Sequence, residues 1–202
     1  MNIELLANLS YIVSAALFIF GLKMLGSPAT ARRGNMFSSL GMLIAVVAGL
    51  TAEGIVSYEY IAGGMVIGTI IGALAARLVG MTSMPEMVAL FNGSGGAASL
   101  LVGWATLYGG SIETFTAVTI LLAILIGGLT FTGSLIAYAK LAEVMNSAAI
   151  VFKGQRFVNS LLLAGIVYAA YMFCLDPQAD SQWLYITLGL ALLLGVMAVI
   201  PI

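Results

Sequence analysis

The sequence predicts an all-α membrane protein, a polytopic bundle of about seven transmembrane helices. Of its 202 residues, 62% are hydrophobic and 7% are charged, with a mean hydropathy of +1.14. A soluble domain carries roughly a quarter charged residues, so most of this surface must face lipid or other helices. The apolar runs are long and show no alternation of period two. They therefore favour helices, since only helices and closed barrels satisfy the backbone in lipid.

Short polar breaks divide the chain into the predicted helices. Most of these approach the roughly 20 residues that cross about 30 Å of hydrocarbon, although the second is short. The longest break is 140–156, part of which is expected to lie in the membrane interface as an amphipathic segment. The predicted spans are 4–25, 37–52, 60–80, 85–108, 114–139, 157–175 and 182–202. The breaks carry turn residues, namely Gly26-Ser27-Pro28, Gly34-Asn35, Met84-Pro85, Gly109-Gly110 and Asp176-Pro177.

The charged residues alternate in sign from one break to the next. Because cytoplasmic loops carry an excess of Lys and Arg, the basic breaks are predicted to be cytoplasmic. Seven spans then place the N-terminus outside and Ile202 inside. The basic breaks contain Lys23, Arg32 and Arg33, then Arg77, then Lys140, Lys153 and Arg156, and the acidic breaks contain Glu53 and Glu59, Glu113, and Asp176 and Asp180.

Composition excludes several classes of function. Seven basic residues and a net charge of −1 provide no surface for nucleic acid. The absence of histidine removes the usual metal ligand and the usual proton carrier near neutral pH. Cys174 is the single cysteine, and no Ser-His or Cys-His pair supports nucleophilic catalysis. Gly93-x-Gly95-x-x-Ala98 imitates a dinucleotide fingerprint but lies inside a membrane helix, without the required preceding strand.

Two helices carry small residues at helical spacing. In the third span, Gly64, Gly68 and Gly72 share a face with Ala76, a pattern typical of close helix packing in membranes. The fourth span has a face that is both small and polar, and its other faces are apolar. That face contains Asn92, Gly95, Gly96, Ser99, Gly103 and Thr106.

Asn92 is the most unusual residue of the fourth span. It lies about 10 Å deeper than Pro85, and an amide at this depth needs a partner or water. One interpretation is an interhelical hydrogen bond; the other is a hydrated path through the bundle. Glu86, beside Pro85, is expected at the cytoplasmic mouth of such a path, near the positive end of the helix.

The fifth span contains Thr130-Phe131-Thr132-Gly133-Ser134. Thr130 and Ser134 share a face at spacing four, and a serine opposite Asn92 would be a suitable partner in a water chain. For Thr132, a hydrogen bond to a carbonyl of its own helix is the favoured interpretation.

These segments resemble the membrane domain of the β subunit of proton-translocating NAD(P) transhydrogenase. The similarity covers nearly the whole chain, and the last two segments are its most specific parts. It is carried by Tyr11-Ile12-Val13, Ala16-Leu17-Phe18-Ile19-Phe20, Arg33-Gly34-Asn35, Met84-Pro85-Glu86 through Ala98, and Thr130-Phe131-Thr132-Gly133-Ser134.

The resemblance implies a role in coupling inward proton flow to hydride transfer from NADH to NADP⁺. It implies an α subunit as partner, a second protomer in a dimeric assembly, and location in the inner membrane. NAD(H) and NADP(H) would bind to soluble domains of the full enzyme, so this chain is expected to hold no cofactor, no metal and no catalytic residue for hydride transfer. The implied proton path contains Asn92, Ser134, Glu86, Ser99 and Thr130, and the expected packing residues are Gly64, Gly68, Gly72, Gly95 and Gly96.

The chain departs from the family pattern at two points. Many members carry a proton-conducting histidine where this chain has Asn92, so the titrating group is expected on a partner helix or in ordered water. The family's β subunit also continues with two more membrane helices and an NADP(H)-binding domain. Residues 1–202 are therefore expected to be the proton-channel domain of a longer protein. The alternatives are a small-solute secondary transporter, for which no internal repeat is evident, and a non-conducting membrane scaffold.

Overall fold

The computed structural model describes residues 3–51, 58–108, 112–177 and 181–202. Within these ranges it contains seven α-helices, each long and apolar enough to cross a membrane, and no strand. The predicted fold class is therefore confirmed. The helices are α1 (Ile3–Leu25), α2 (Pro28–Leu50), α3 (Tyr58–Leu78), α4 (Met84–Thr106), α5 (Thr114–Leu141), α6 (Gln155–Leu175) and α7 (Gln182–Val199).

The second predicted span began nine residues too late, because Gly34-Asn35 was wrongly interpreted as a break. Pro28 instead occupies the first turn of α2, where its missing N–H costs nothing. Gly34 lies inside the helix and is buried against α1. A Cβ at this position would lie 2.7 Å from the carbonyl oxygen of Gly21. Glycine here serves close packing rather than a turn.

Four residues expected in the breaks, Glu53, Gly109, Gly110 and Asp180, lie outside the described residues. The last predicted span is shorter than expected, since α7 ends at Val199 and Pro201 follows its C-terminal cap. The 140–156 break contains no helix between Leu141 and Gln155.

The chain divides into two compact units, Met1–Leu74 and Ala75–Ile202, with the boundary inside α3. In the first unit, α1 and α2 form a hairpin joined by small residues. The buried hydroxyl of Ser14 donates across it to the carbonyl oxygen of Gly41. Two residues connect the helices, and Thr30 Oγ1 donates to the carbonyl oxygen of Met24 over 2.6 Å, near the end of α1.

In the second unit, α5 is the central helix. It packs against both α4 and α7, and α6 packs mainly against α7. The apolar core lies toward the Thr114 end of α5, where α6 and α7 contribute one large side chain each. Its buried members are Ala117, Ile120, Leu121, Ile124, Phe173 and Leu184.

Candidate functional site: the polar contact between α4 and α5

The structure brings Asn92 and Ser134 into direct contact. Asn92 Nδ2 donates to Ser134 Oγ over 2.8 Å, which joins the middle of α4 to α5. Ser134 is buried, whereas Asn92 remains exposed at the edge of the helix pair. The sequence identified Ser134 as a suitable partner for Asn92 but could not show that the two residues meet, and the structure shows that they do. The interhelical hydrogen bond is thus present, and it leaves part of the Asn92 amide facing outward.

Small residues allow α4 and α5 to approach closely enough for this bond. A Cβ at Gly93 would lie 3.1 Å from Ser134 Cβ, so a larger residue there would separate the two helices. At Gly96, a Cβ would lie 2.8 Å from the carbonyl oxygen of Gly127 and 2.9 Å from Thr130 Cβ. Thr130 therefore lines the closest part of the same contact.

The small and polar face of α4 is divided between two environments. Gly96 and Gly103 are buried against α5, together with Gly93 and Leu100. The remaining members form a stripe that is exposed in this chain, and we call it the α4 polar stripe. It consists of Asn92, Gly95, Ser99 and Thr106.

The hydroxyls of the α4 polar stripe bond to their own helix. Ser99 Oγ donates to the carbonyl oxygen of Gly95 over 3.1 Å, and Thr106 Oγ1 donates to that of Val102 over 2.8 Å. Because each proton is already used, the outward-facing lone pairs are acceptors. A Cβ at Gly95 would meet no atom of the described chain within 4 Å. The stripe can therefore accept hydrogen bonds from water or from another helix.

The Thr130–Ser134 segment of α5 presents polar groups to two helices. Thr130 and Ser134 face α4, and Thr132 faces α7. Thr132 Oγ1 lies 3.1 Å from the carbonyl oxygen of Gly128 in its own helix and 2.8 Å from that of Leu192 in α7. The predicted bond within the helix is confirmed. The bond to α7 was not predicted. Helical spacing nevertheless places Thr132 on the face of α5 opposite Thr130 and Ser134.

At one end of the bundle, polar side chains cap the carbonyls of α7. Lys140 Nζ donates to the carbonyl oxygen of Ile200 over 2.6 Å, and Gln155 Nε2 donates to that of Met197 over 3.2 Å. A cation at a helix C-terminus also interacts favourably with the helix dipole. In the sequence, Lys140 indicates only the topology, and nothing there pairs it with Ile200.

At the opposite end, aromatic residues join α4 to α7. The hydroxyl oxygens of Tyr108 and Tyr185 lie 3.0 Å apart, and the Trp104 ring packs edge-on against Tyr185 at a centroid distance of 6.0 Å. The hydrogen bond with Tyr185, followed by that from Trp104, lowers the pKa of Tyr108. Aromatic residues with polar tips are enriched where helices leave the hydrocarbon region, so this cluster marks that end of the bundle.

Glu86 and the glycines of α3 take no part in the hydrogen bond between Asn92 and Ser134. Glu86 is half-buried in the first turn of α4, six residues and therefore about 9 Å along the axis from Asn92. Gly64, Gly68 and Gly72 lie on α3, where an added Cβ would meet no described atom within 4 Å. The packing role of these glycines stays a prediction.

This arrangement defines a class: a polytopic helical membrane protein whose helices meet through glycines and a few polar side chains. Within the described residues, no cluster of His, Cys, Asp or Glu is suited to hold a metal ion. The chain belongs to the NAD(P) transhydrogenase beta subunit family, whose sequence model matches residues 7–202.

Two similar proteins come from Rhodospirillum rubrum, one of them from a defined strain of that species, and both are named NAD(P) transhydrogenase subunit beta. Each is 33% identical over 202 residues, which covers 96% of this chain and 43% of the relative. The chain thus spans less than half the length of these relatives. The resemblance inferred from the sequence motifs is confirmed.

Proposed function

We propose that this chain forms part of the proton path of a proton-translocating NAD(P) transhydrogenase. Inward proton flow through it would be coupled to hydride transfer from NADH to NADP⁺. NAD(H) and NADP(H) would be held by soluble domains of the whole enzyme, and this chain would take no part in the hydride step. The observation that carries the proposal is the 2.8 Å bond between Asn92 and Ser134 at the edge of the α4 polar stripe.

The chemistry of Asn92 supports relay or anchoring rather than titration. Nδ2 uses one proton on Ser134, and an amide retains a second N–H and a carbonyl oxygen for water or another side chain. An amide does not change its charge near neutral pH. The proton must therefore pass through ordered water held by Asn92, or reach an ionisable group supplied by a partner helix. Ser99 extends the same acceptor surface along α4, and Glu86 lies at its cytoplasmic end.

The partner in this proposal is the transhydrogenase α subunit, and a second protomer would complete a dimer. Two faces of the chain are suited to helix partners, the α4 polar stripe and the glycines of α3.

We expect Gly68→Leu to reduce co-purification of the partner subunits, because a large side chain keeps a neighbouring helix at a distance. Gly189→Leu is the matched control, since a Cβ at Gly189 also meets no described atom within 4 Å. Normal assembly of Gly68→Leu would contradict a packing role for α3.

Ser134→Ala in the complete enzyme tests the proposed path directly. The substitution removes the acceptor of the Asn92 amide and leaves the amide free to turn away. We expect proton-coupled turnover to fall about threefold to twentyfold, corresponding to the roughly 0.6–1.7 kcal/mol of an interhelical hydrogen bond in a membrane. Hydride exchange confined to the soluble domains should be unchanged.

Ser10→Ala provides the control for Ser134→Ala, because the Ser10 hydroxyl bonds within its own helix, to the carbonyl oxygen of Leu6 in α1. Equal proton pumping by Ser134→Ala and Ser10→Ala would exclude the Asn92–Ser134 pair from the path.

The orientation proposed is N-terminus outside and C-terminus cytoplasmic, in the inner membrane. Lys23, Arg77 and Lys140 lie in the last turns of α1, α3 and α5, as expected for helices that run from outside to inside. In a Cys174→Ser background, an impermeant thiol reagent added outside should label Glu113→Cys and spare Arg33→Cys. The reverse labelling pattern would invert the topology, and labelling of both would contradict the seven-span order.

A further inference from the structure

The connector between α5 and α6, residues 142–154, folds back on the helix ends. Left-handed backbone conformations occur near both of its ends, at Glu143 with φ 56° and at Gly154 with φ 92°. The backbone N–H of Met145 donates to the carbonyl oxygen of Ala139 over 2.9 Å, and Ser147 Oγ donates to that of Lys140 over 3.0 Å. The connector therefore follows the end of α5 instead of extending away from it.

Contacts with α7 place the connector at the level where the helices end. The Ile150 N–H donates to the carbonyl oxygen of Ile200 over 3.3 Å, on the same oxygen that accepts from Lys140. Ser147 also shares a cavity of about 310 Å³ with Val199 and Ile202. Since the ends of membrane-spanning helices lie near the boundary between hydrocarbon and headgroups, the connector lies in that boundary.

The connector exposes apolar side chains at this level. Val144 is 77% exposed, Val151 is 70% exposed, and Phe157 in the first turn of α6 is 74% exposed. Ile150 and Phe152 are also exposed. Apolar area of this kind is unfavourable in water. We call these five residues the connector surface: Val144, Ile150, Val151, Phe152 and Phe157.

Basic residues accompany the connector surface. Residues 140–156 contain three basic residues, Lys140, Lys153 and Arg156, and one acidic residue, Glu143. Lys153 and Arg156 are exposed. Exposed apolar side chains combined with Lys and Arg at the helix ends are the combination that binds the surface of an anionic bilayer.

We propose that the connector is a membrane-surface anchor, in which the connector surface inserts below the headgroups and Lys153 and Arg156 bind anionic phospholipid headgroups. The charge pattern favours a lipid surface over a soluble protein domain as the partner of the connector, because basic residues flank the apolar side chains as they do in interfacial segments. An amphipathic segment stays a prediction of the sequence; the structure shows that the connector exposes both apolar and basic side chains without forming a helix.

The test uses the complete enzyme in nanodiscs with an environment-sensitive fluorophore on Val151→Cys, in a Cys174→Ser background. The control probe is Thr82→Cys, in the exposed 3₁₀ turn before α4. We expect lipids brominated near the top of the acyl chain to quench the Val151 probe several-fold more than the Thr82 probe. Acrylamide, a quencher dissolved in water, should quench the Thr82 probe more strongly than the Val151 probe.

Anionic lipid supplies the second measurement. Quenching by brominated phosphatidylglycerol relative to brominated phosphatidylcholine should fall roughly fivefold for each of Lys153→Gln and Arg156→Gln, since each basic residue near an anionic surface contributes a factor of this size. Quenching by phosphatidylcholine should persist in both variants. A Val151 probe that acrylamide reaches as readily as the Thr82 probe would overturn the proposal. Protection from acrylamide without quenching by brominated lipid would also overturn it, because a protein would then cover the connector surface.

Discussion

Asn92→Leu in the complete enzyme is expected to lower proton-coupled transhydrogenation by at least about tenfold. Leucine removes the donor to Ser134 and places an apolar side chain at the edge of the α4 polar stripe. Ser134 then loses its Asn92 partner while remaining buried, which costs about 1–3 kcal/mol. Leucine also removes the amide as a hydrogen-bond partner for ordered water, which needs about two to four polar partners to stay bound. A barrier raised by about 1.4 kcal/mol already reduces a rate tenfold.

The measurement must separate proton movement from hydride chemistry. Proton uptake into proteoliposomes and reverse transhydrogenation should fall together, whereas hydride exchange confined to the soluble domains should continue at the wild-type rate. Asn92→His should retain more coupled activity than Asn92→Leu, because histidine can still hydrogen-bond to Ser134 and can carry a proton itself. Wild-type pumping by Asn92→Leu would show that Asn92 is structural.

Asn92→Asp separates relay from titration. If the titrating group lies on a partner helix, a carboxylate at residue 92 would lie beside it and change its pKa, so the pH optimum of coupled turnover should shift. An unchanged pH profile together with full activity would indicate that residue 92 lies away from the proton.

The sequence predicted the helices because composition and length decide them. Seven apolar runs near the length needed to cross a bilayer leave few alternatives to membrane-spanning helices. The alternating charge of the breaks constrained the direction in which each helix runs. The start of α2 was wrong because Gly34 has two uses that sequence cannot distinguish. Glycine ends helices, and it also permits close helix packing. The structure shows the second use, with Gly34 and Gly21 in backbone contact.

The site was partly predictable for a related reason. Helical spacing identified the polar face of α4 and the shared face of Thr130 and Ser134 on α5, and it made Ser134 a suitable partner for Asn92. Only the structure shows that the two residues meet. Helical spacing alone did not show which part of the polar face of α4 would be covered by α5. That depends on where two helices cross, and close approach at Gly96 and Gly127 determines the crossing. The caps on α7 were not predictable, since they join residues distant in sequence through backbone carbonyls.

Gly96→Ala is expected to weaken packing of α4 on α5 far more than Gly95→Ala, although the two glycines are adjacent. An added Cβ at Gly96 would lie 2.8 Å from two backbone atoms, the carbonyl oxygen of Gly127 and the amide nitrogen of Phe131. Neither atom can move without displacing α5. At Gly95 the same Cβ would meet no described atom within 4 Å. Overpacking of this kind typically costs about 1–3 kcal/mol, and the change in helix propensity is the same at both positions.

The comparison is made on the complete enzyme in mild detergent, with the free energy of unfolding followed by denaturant titration and with coupled turnover measured in parallel. Gly96→Ala should lower both quantities, since separation of the helices also lengthens the distance from Asn92 Nδ2 to Ser134 Oγ. Gly95→Ala should leave the free energy of unfolding unchanged or raise it by at most about 1 kcal/mol, because alanine favours the helix. If Gly95→Ala nevertheless reduces coupled turnover or recovery of the partner subunits, then the α4 polar stripe is covered by a further helix, as it would be if a partner helix supplies the ionisable group of the proposed path. Equal stability of the two variants would contradict the close approach of α4 and α5 at Gly96, because a helix pair separated by a further ångström would accommodate both methyl groups.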